Sequence, residues 1–274
     1  MNYIEIKIQS KSEITDMLIA EIAEIKYDNF VYTENGFDAY CEEDDFNENE
    51  LVSIIDRYKS LGEIFFTKTI LEKKNWNEEW EKSFEPVIIE GKCMVRASFH
   101  SSQNLPYEII IDPKMSFGTG HHATTSLMLE HQLMTDHNQK SVLDVGCGTA
   151  VLAIMAKKLG ASYVEGFDID EWSVENSIEN VKNNDCEPLE IRLGTIDKLQ
   201  FNQKFDIILA NINRNILIKE IPSYVNHLKV GGFLIVSGFY DQDIPSIEEV
   251  SKSVGLVTSS VKIKNDWTSI IFKK

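Results

Sequence analysis

The spacing of apolar and polar positions changes character along the chain, and each change marks an element. Residues 3–8 alternate strictly, which predicts a half-buried strand. Over 12–25 the apolar positions Ile14, Met17, Leu18, Ile22 and Ile25 recur near helical spacing, with Ser12 as the expected N-cap. Short strands are predicted over 30–33 and 37–41. They flank Glu34-Asn35-Gly36, a hairpin in which Asn35 and Gly36 are expected to tolerate positive φ. A helix over 49–60 and a strand over 64–71 complete the order βαββαβ, that of a small ferredoxin-like α+β domain.

Beyond residue 84 the pattern lengthens. A hairpin is predicted over 84–97 around Glu90-Gly91, then a buried strand Ile109-Ile110-Ile111 stopped by Pro113, then a glycine-bracketed loop leading into a helix from Thr124. Strands over 142–145, 163–168, 189–193, 205–210 and 233–236 alternate with helices over 151–159, 171–183 and 216–228, and Gly231-Gly232 turns the chain. Such alternation builds a doubly wound, mostly parallel α/β sheet, and 256–264 with 267–272 close the chain as an antiparallel hairpin. Between the two patterns lies a charged run in which Trp76 and Trp80 stand at i and i+4 on one helical face. It reads as a helical linker, giving domains over 1–72 and 83–274 joined by 73–82; a cage for methylated cations needs more converging aromatics than this.

Composition narrows the classes. Apolar residues make up 43% of the 274, enough for a buried core, and no apolar run approaches the ~18 residues of a membrane span. No signal-peptide pattern opens the chain, and Cys41, Cys93, Cys147 and Cys186 are scattered without a C-x-x-C pair, so a reducing, cytoplasmic setting is expected. The net charge of −17 argues against a direct grip on nucleic acid and for a basic macromolecular partner. Residues 1–72 hold 17 acids against 6 bases, so the N-terminal quarter is the acidic end; within it, 42–45 reads as either a contact for a cationic partner or a solvated loop.

Candidate chemistry concentrates between Ser141 and Asp170. Strand, glycine turn, helix and strand follow one another there, and open parallel sheets bind ligands at the carboxyl ends of their strands. A Cβ at Gly146 or Gly148 is expected to occupy space that a ligand needs. Asp168 ends the second strand 24 residues after Asp144, where a carboxylate can accept both ribose hydroxyls of an adenosine. An adenosine-bearing cofactor is therefore expected, against the plainer reading of a tight turn. Val151 stands where a dinucleotide fingerprint wants Gly or Ala, which weakens a nicotinamide assignment. Cys147 reads as a small filler of the turn.

The run Asp144-x-Gly146-x-Gly148 resembles the first motif of class I methyltransferases that use S-adenosylmethionine. More specifically, Asp-Pro-Lys-Met-Ser-Phe-Gly-Thr-Gly-His-His-Ala-Thr-Thr over 112–125, with Leu143 to Gly148, Phe167-Asp168-Ile169-Asp170 and Leu209-Ala210-Asn211-Ile212, resembles the PrmA-type methyltransferases, end to end. These modify ribosomal protein eleven of the large subunit on its N-terminal α-amine and lysine ε-amines. The resemblance implies a class I methyltransferase (Rossmann-like) domain behind a ferredoxin-like substrate-recognition domain, with S-adenosylmethionine as cofactor. Carried onto this chain, cofactor contacts fall on Thr125, Gly146, Asp168 and Asn211, with Phe117, Asp144 and Gly148 also near. It implies a cytoplasmic monomer acting on the free, basic ribosomal protein without direct contact to nucleic acid or membrane. Two departures stand out: Ala150 replaces the usual third glycine, and Asn213-Arg214-Asn215 is more polar than expected at the substrate mouth.

Methyl transfer to an amine needs a neutral nucleophile, position and a dry site. Asn211 is the candidate to orient that amine. The motif Asn-Pro-Pro-aromatic of amide-nitrogen methyltransferases is absent, which favours amines. No catalytic base is assigned, since solvent can take the proton. His121-His122 lacks helical zinc-ligand spacing and a carboxylate partner, so no metal is expected and loop packing or substrate orientation is the role. Three other readings stay open: a small-molecule or different protein acceptor, a nicotinamide-dependent oxidoreductase, and a non-catalytic adenosine-binding module.

Overall fold

The computed structural model describes residues 2–71, 84–114 and 116–274, and the chain divides into two compact units, 1–83 and 84–274. The expected linker over 73–82, with Trp76 and Trp80, lies outside the described residues.

In the smaller unit, β1 (Tyr3–Gln9), α1 (Ser12–Ala23), β2 (Asn29–Thr33), β3 (Gly36–Glu42), α2 (Glu48–Tyr58) and β4 (Phe65–Leu71) follow the order read from the sequence. The strands pair antiparallel as β2-β3-β1-β4, the ferredoxin-like arrangement. Alternation explains the layering. Ile4, Ile6 and Ile8 are buried against Leu18 and Ile22 of α1 and Leu51, Ile54 and Ile55 of α2, so Glu5 and Lys7, paired with Tyr40 and Asp38, point to the other face. Two local expectations are corrected. Ser12 is the first helical residue, and Lys11 holds the cap position without a side-chain bond; Asn47, by contrast, caps α2 through Asn49 N and Glu50 N at 3.1 and 3.4 Å. In the β2–β3 hairpin Gly36 alone takes positive φ, and Asn35 does not.

The larger unit is built on a seven-stranded sheet ordered β10-β9-β8-β11-β12-β14-β13. Its strands are β8 (Ser141–Val145), β9 (Tyr163–Asp168), β10 (Glu190–Leu193), β11 (Phe205–Asn211), β12 (Leu228–Tyr240), β13 (Val257–Lys264) and β14 (Trp267–Lys273). Five strands run parallel, and β14 is antiparallel to β12 and β13. Both faces are covered, which is why β8 and β11 read as nearly unbroken apolar runs. Ile207 and Leu209 enter one core with α3 (Ala123–Met134) and α4 (Val151–Lys158). Ile208 and Ala210 enter a second core with α6 (Arg214–His227) and α7 (Ile244–Ser253). The helix α5 (Glu171–Asn183) begins on the residue expected. The helix over 244–253 is not among the expected elements, and the expected turn at Gly231-Gly232 falls inside β12 as an irregularity, where the register against β11 jumps from Phe205–Leu228 to Ile207–Phe233.

A separate sheet of β5 (Val87–Ile89), β6 (Cys93–Arg96) and β7 (Tyr107–Ile110) contains the expected hairpin, with β7 added parallel to β6. Asn184, at the end of α5, bonds the backbone of Ile110 in both directions, at 2.8 and 2.7 Å. That side chain completes the strand and fixes where the chain leaves it for the glycine-bracketed loop.

Candidate functional site

A cavity of about 480 Å³ opens at the carboxyl ends of β8, β9 and β11. The turn after β8 forms its floor. The backbone N–H groups of Gly146 and Cys147 donate to Phe167 O at 2.9 and 3.0 Å, and Gly148 N–H donates to Asp168 Oδ2 at 2.9 Å. Gly146 and Gly148 have φ of 65° and 57°, a region that costs other residues about 1–2 kcal/mol. A Cβ on Gly146 would lie 2.7 Å from Ile212 Cγ2, and one on Gly148 would run into the carbonyl oxygen of Phe117. At Gly148 that space is taken by the chain's own backbone, whereas at Gly146 the one neighbour is the end of the Ile212 side chain, which itself lines the cavity. Ala150 also sits left-handed, at φ 62°, and fully buried; the third glycine's conformation is kept although its residue type is not.

Residues 116–120 lie across this turn. Phe117 O accepts from Thr149 N–H at 3.0 Å, and Thr149 Oγ1 donates to Gly118 O at 2.7 Å. Ser126 Oγ donates to Gly120 O at 3.1 Å and ties the loop to α3. Phe117 is thereby held at the cavity rim with 53% of its surface exposed. His121 bonds Glu85 O and Thr119 Oγ1 at 2.8 and 3.2 Å. His122 caps α3, its Nδ1 accepting Thr124 N–H at 3.4 Å. Among the described residues no group of His, Cys, Asp and Glu could hold a metal ion.

The two motif aspartates diverge. Asp168 lines the cavity; one oxygen takes the Gly148 N–H and the other takes Asp170 N–H at 3.1 Å. Asp144 is 1% exposed and does not line it. Its Oδ2 accepts Ala153 N–H at 3.0 Å, at the first turn of α4, and its Oδ1 has no partner. Burial, with a minor push from Asp168, raises its carboxyl to about 7. Cys147 is likewise buried, its thiol pushed well above the ordinary range by the loss of solvent, which fits a filler.

Asn211 ends β11 beside the cavity. Its Nδ2 donates to Thr125 Oγ1 at 3.4 Å, while its Oδ1 is buried without a hydrogen-bond partner. An unpaired buried acceptor is costly, and a donor from a bound molecule would satisfy it. A second cavity, about 280 Å³, shares Phe117, Asn211, Ile212 and Asn213 with the first and adds His122 and Trp267. Rings of Phe117, His122, Trp267 and Tyr240 succeed one another at 5.3, 4.7 and 4.1 Å along it. The polar run at the mouth has structural partners. Asn213 Oδ1 caps α6 through Ile216 N–H at 3.1 Å, and Arg214 Nε pairs with Asp243 Oδ1 at 3.0 Å ahead of α7.

Thr125, Gly146, Asp168, Asn211, Phe117 and Gly148 are therefore brought to one cavity, and Asp144 is kept behind it. Sequence reasoning missed Ile169, Thr195, Glu220 and Trp267. Ile169 follows Asp168 and is 76% exposed, an apolar side chain at a cavity edge. The others become visible only when the strands are ordered. The arrangement can hold a nucleoside-bearing molecule in the larger cavity and admit an aliphatic side chain through the smaller, with Asn211 lining both.

The family model described as Ribosomal protein L11 methyltransferase (PrmA) matches residues 4–274. A protein of Porphyromonas gingivalis named ribosomal protein L11 methyltransferase is 42% identical over 260 residues, 94% of this chain and 90% of that one. One of Phocaeicola vulgatus with the same name is 39% identical over 278 residues and covers 99% of both. The crystal structure of a ribosomal protein L11 methylase from Lactobacillus delbrueckii subsp. bulgaricus superposes with a TM-score of 0.64 at 26% identity, over 70% of this chain and 98% of that one.

Proposed function

Since the chain belongs to the ribosomal protein L11 methyltransferase family, we propose that it transfers methyl groups from S-adenosylmethionine to ribosomal protein L11, on the N-terminal α-amine and lysine ε-amines. When bound, S-adenosylmethionine supplies an electrophilic methyl carried on a positive sulfur. The residues present suit it: Asp168 offers acceptors for ribose hydroxyls, and Thr125, Gly146 and Asn211 surround the end where the two cavities meet.

The observation that carries this reading is Asn211, which lines both cavities and whose buried Oδ1 has no hydrogen-bond partner among the described residues. A neutral amine entering past Phe117 and Trp267 can donate one N–H to that oxygen and keep its lone pair directed at the methyl. The aromatic walls suit an aliphatic lysine stem, and a stem seated between them displaces water there, which favours the uncharged amine. On attacking the methyl, with the bond to sulfur breaking and the sulfur left neutral, the nitrogen takes up positive charge that a carbonyl-type oxygen stabilises; solvent then takes the proton. Residues 1–72, the acidic part of the smaller unit, are the recognition domain for this basic, free substrate in the cytoplasm, with residues 83–274 as the catalytic domain of a monomeric enzyme.

Purified protein given S-adenosylmethionine and unmethylated L11 should add methyl groups, seen as stepwise mass increases with partial products early. An unchanged L11 beside another protein that gains mass would leave the chemistry standing and remove the acceptor. Tighter binding of NAD than of S-adenosylhomocysteine in calorimetry would remove both.

A further inference from the structure

Glu220 lines the larger cavity, though nothing in the glycine motif or the loop over 112–125 points to it. Its place along the cavity follows from a chain of contacts. Gly194 N–H donates to Asp168 O at 2.9 Å, so Thr195, next in sequence and also lining the cavity, stands beside Asp168. Two residues further, Asp197 Oδ1 accepts from Ser223 Oγ at 3.2 Å and clips α6 to this turn. Glu220 precedes Ser223 by one helical turn, and Asn213, Ile216 and Glu220 share the face of α6 that meets the cavity. Asn211, Thr125 and Phe117, where the second cavity joins, mark the opposite end. A ribose held at Asp168 with its sulfur toward Asn211 therefore directs its base toward Thr195 and Glu220.

The carboxylate is held in place. Tyr224 OH donates to Glu220 Oε2 at 2.7 Å, and Tyr224 is fully buried. Burial and the neighbouring carboxylate push the Tyr224 hydroxyl well above its ordinary range, so it remains a donor. Glu220 Oε1 has no hydrogen-bond partner among the described residues. An ionised carboxylate only accepts, whereas the hydroxyl of Thr195 can donate or accept and so does not discriminate.

We propose that Glu220 selects the base of the cofactor, its free oxygen accepting a hydrogen bond from the exocyclic amine of adenine. The inference rests on S-adenosylmethionine as the ligand of this cavity. A base bearing a carbonyl in place of that amine would set oxygen against carboxylate, and sites built for a donor reject the analogue that lacks it.

The test is calorimetry of the full chain with S-adenosylhomocysteine and S-inosylhomocysteine. The unaltered protein is expected to prefer the adenosyl compound by about thirtyfold or more. Glu220→Gln keeps the acceptor for Tyr224 and gains a donor for the inosine carbonyl. Its affinity for the adenosyl compound should fall about tenfold and its preference should collapse to within about threefold of parity. Glu220→Asp, with the charge kept and the reach shortened, should give an intermediate ratio and serves if the glutamine variant does not fold. An unchanged ratio in the folded variant overturns the role of Glu220 alone. Failure of the unaltered protein to bind either compound overturns the cofactor reading and this inference with it.

Discussion

The two main sheets of the molecule treat polar groups in opposite ways. In β1 every second residue is buried, because helices cover one face only; in β8 all five are, because both faces are covered. A strand buried on both sides has only its ends to offer, so the chemistry of the larger unit collects where β8, β9 and β11 stop. The smaller sheet keeps Glu5, Asp38 and Tyr40 together on its other face, with Tyr40 OH donating to Glu5 at 3.0 Å. The contrast teaches where each unit is vulnerable: a single atom matters at the carboxyl ends of one sheet, and summed charge matters on the face of the other.

The sharpest way to break the first half of that contrast is Gly148→Ala. The new methyl must displace the Phe117 carbonyl and with it the loop pinned by Thr149. Gly91→Ala serves as the reference, since Gly91 has φ 63° but nothing within 4 Å of its Cβ. We expect Gly91→Ala to cost about 1 kcal/mol of stability and to leave cofactor affinity alone. Gly148→Ala should lower S-adenosylhomocysteine affinity about a hundredfold, or ~2.7 kcal/mol. Equal affinities in calorimetry would mean that the loop is not held by this contact. Next in size is Asp168→Ala, where losing acceptors on a charged group should cost about 1.5–3 kcal/mol, tenfold to a hundredfold in the same measurement.

How much of this was legible in the sequence depends on the range of the interaction. Strand alternation and the glycine turn are local signals, so both sheets and the cavity floor could be read directly. The helix α7 was not, because it opens from a short 3-10 turn over 241–243 and buries only Ile247 and Ser251. Arg214 looked like a misfit at the substrate mouth because its partner, Asp243, is 29 residues away. Glu220 was invisible for the same reason, since the contacts that bring α6 to the cavity, its packing in the second core and the clip from Ser223 to Asp197, are long-range. Asp144 was read as part of the motif, and nothing local shows that its side chain turns to α4 instead of the ligand.

Asp144 sharpens the comparison by pH. Its folded carboxyl titrates near 7, above the ordinary carboxyl range, because burial disfavours the charge. The folded state therefore binds more protons than the unfolded one between about pH 4 and 7, and stability falls as pH rises through that window. We expect a loss of about 3 kcal/mol across it, measured by urea unfolding. Asp144→Asn, which cannot ionise, should flatten that part of the profile. The same slope in both proteins would assign the effect to other groups.

The smallest expected effect concerns that smaller sheet, and it separates summed charge from local geometry. Asp38 and Glu42 lie on β3 opposite Lys7 and Tyr3 of β1, on the face turned away from the helices. If the acidic unit recognises a basic protein, neutralising both as Asp38→Asn and Glu42→Gln should weaken steering of the acceptor without touching the cavity. We expect kcat/KM for L11 to fall roughly threefold to tenfold at low ionic strength, with the gap closing as salt screens the charges. Affinity for S-adenosylhomocysteine should stay as it was. Glu249→Gln, an exposed acid on α7 of the larger unit, removes charge elsewhere and is expected to leave kcat/KM within about twofold. Equal losses from both changes would make the dependence one of total charge, and the smaller sheet would lose its claim as the surface that L11 meets.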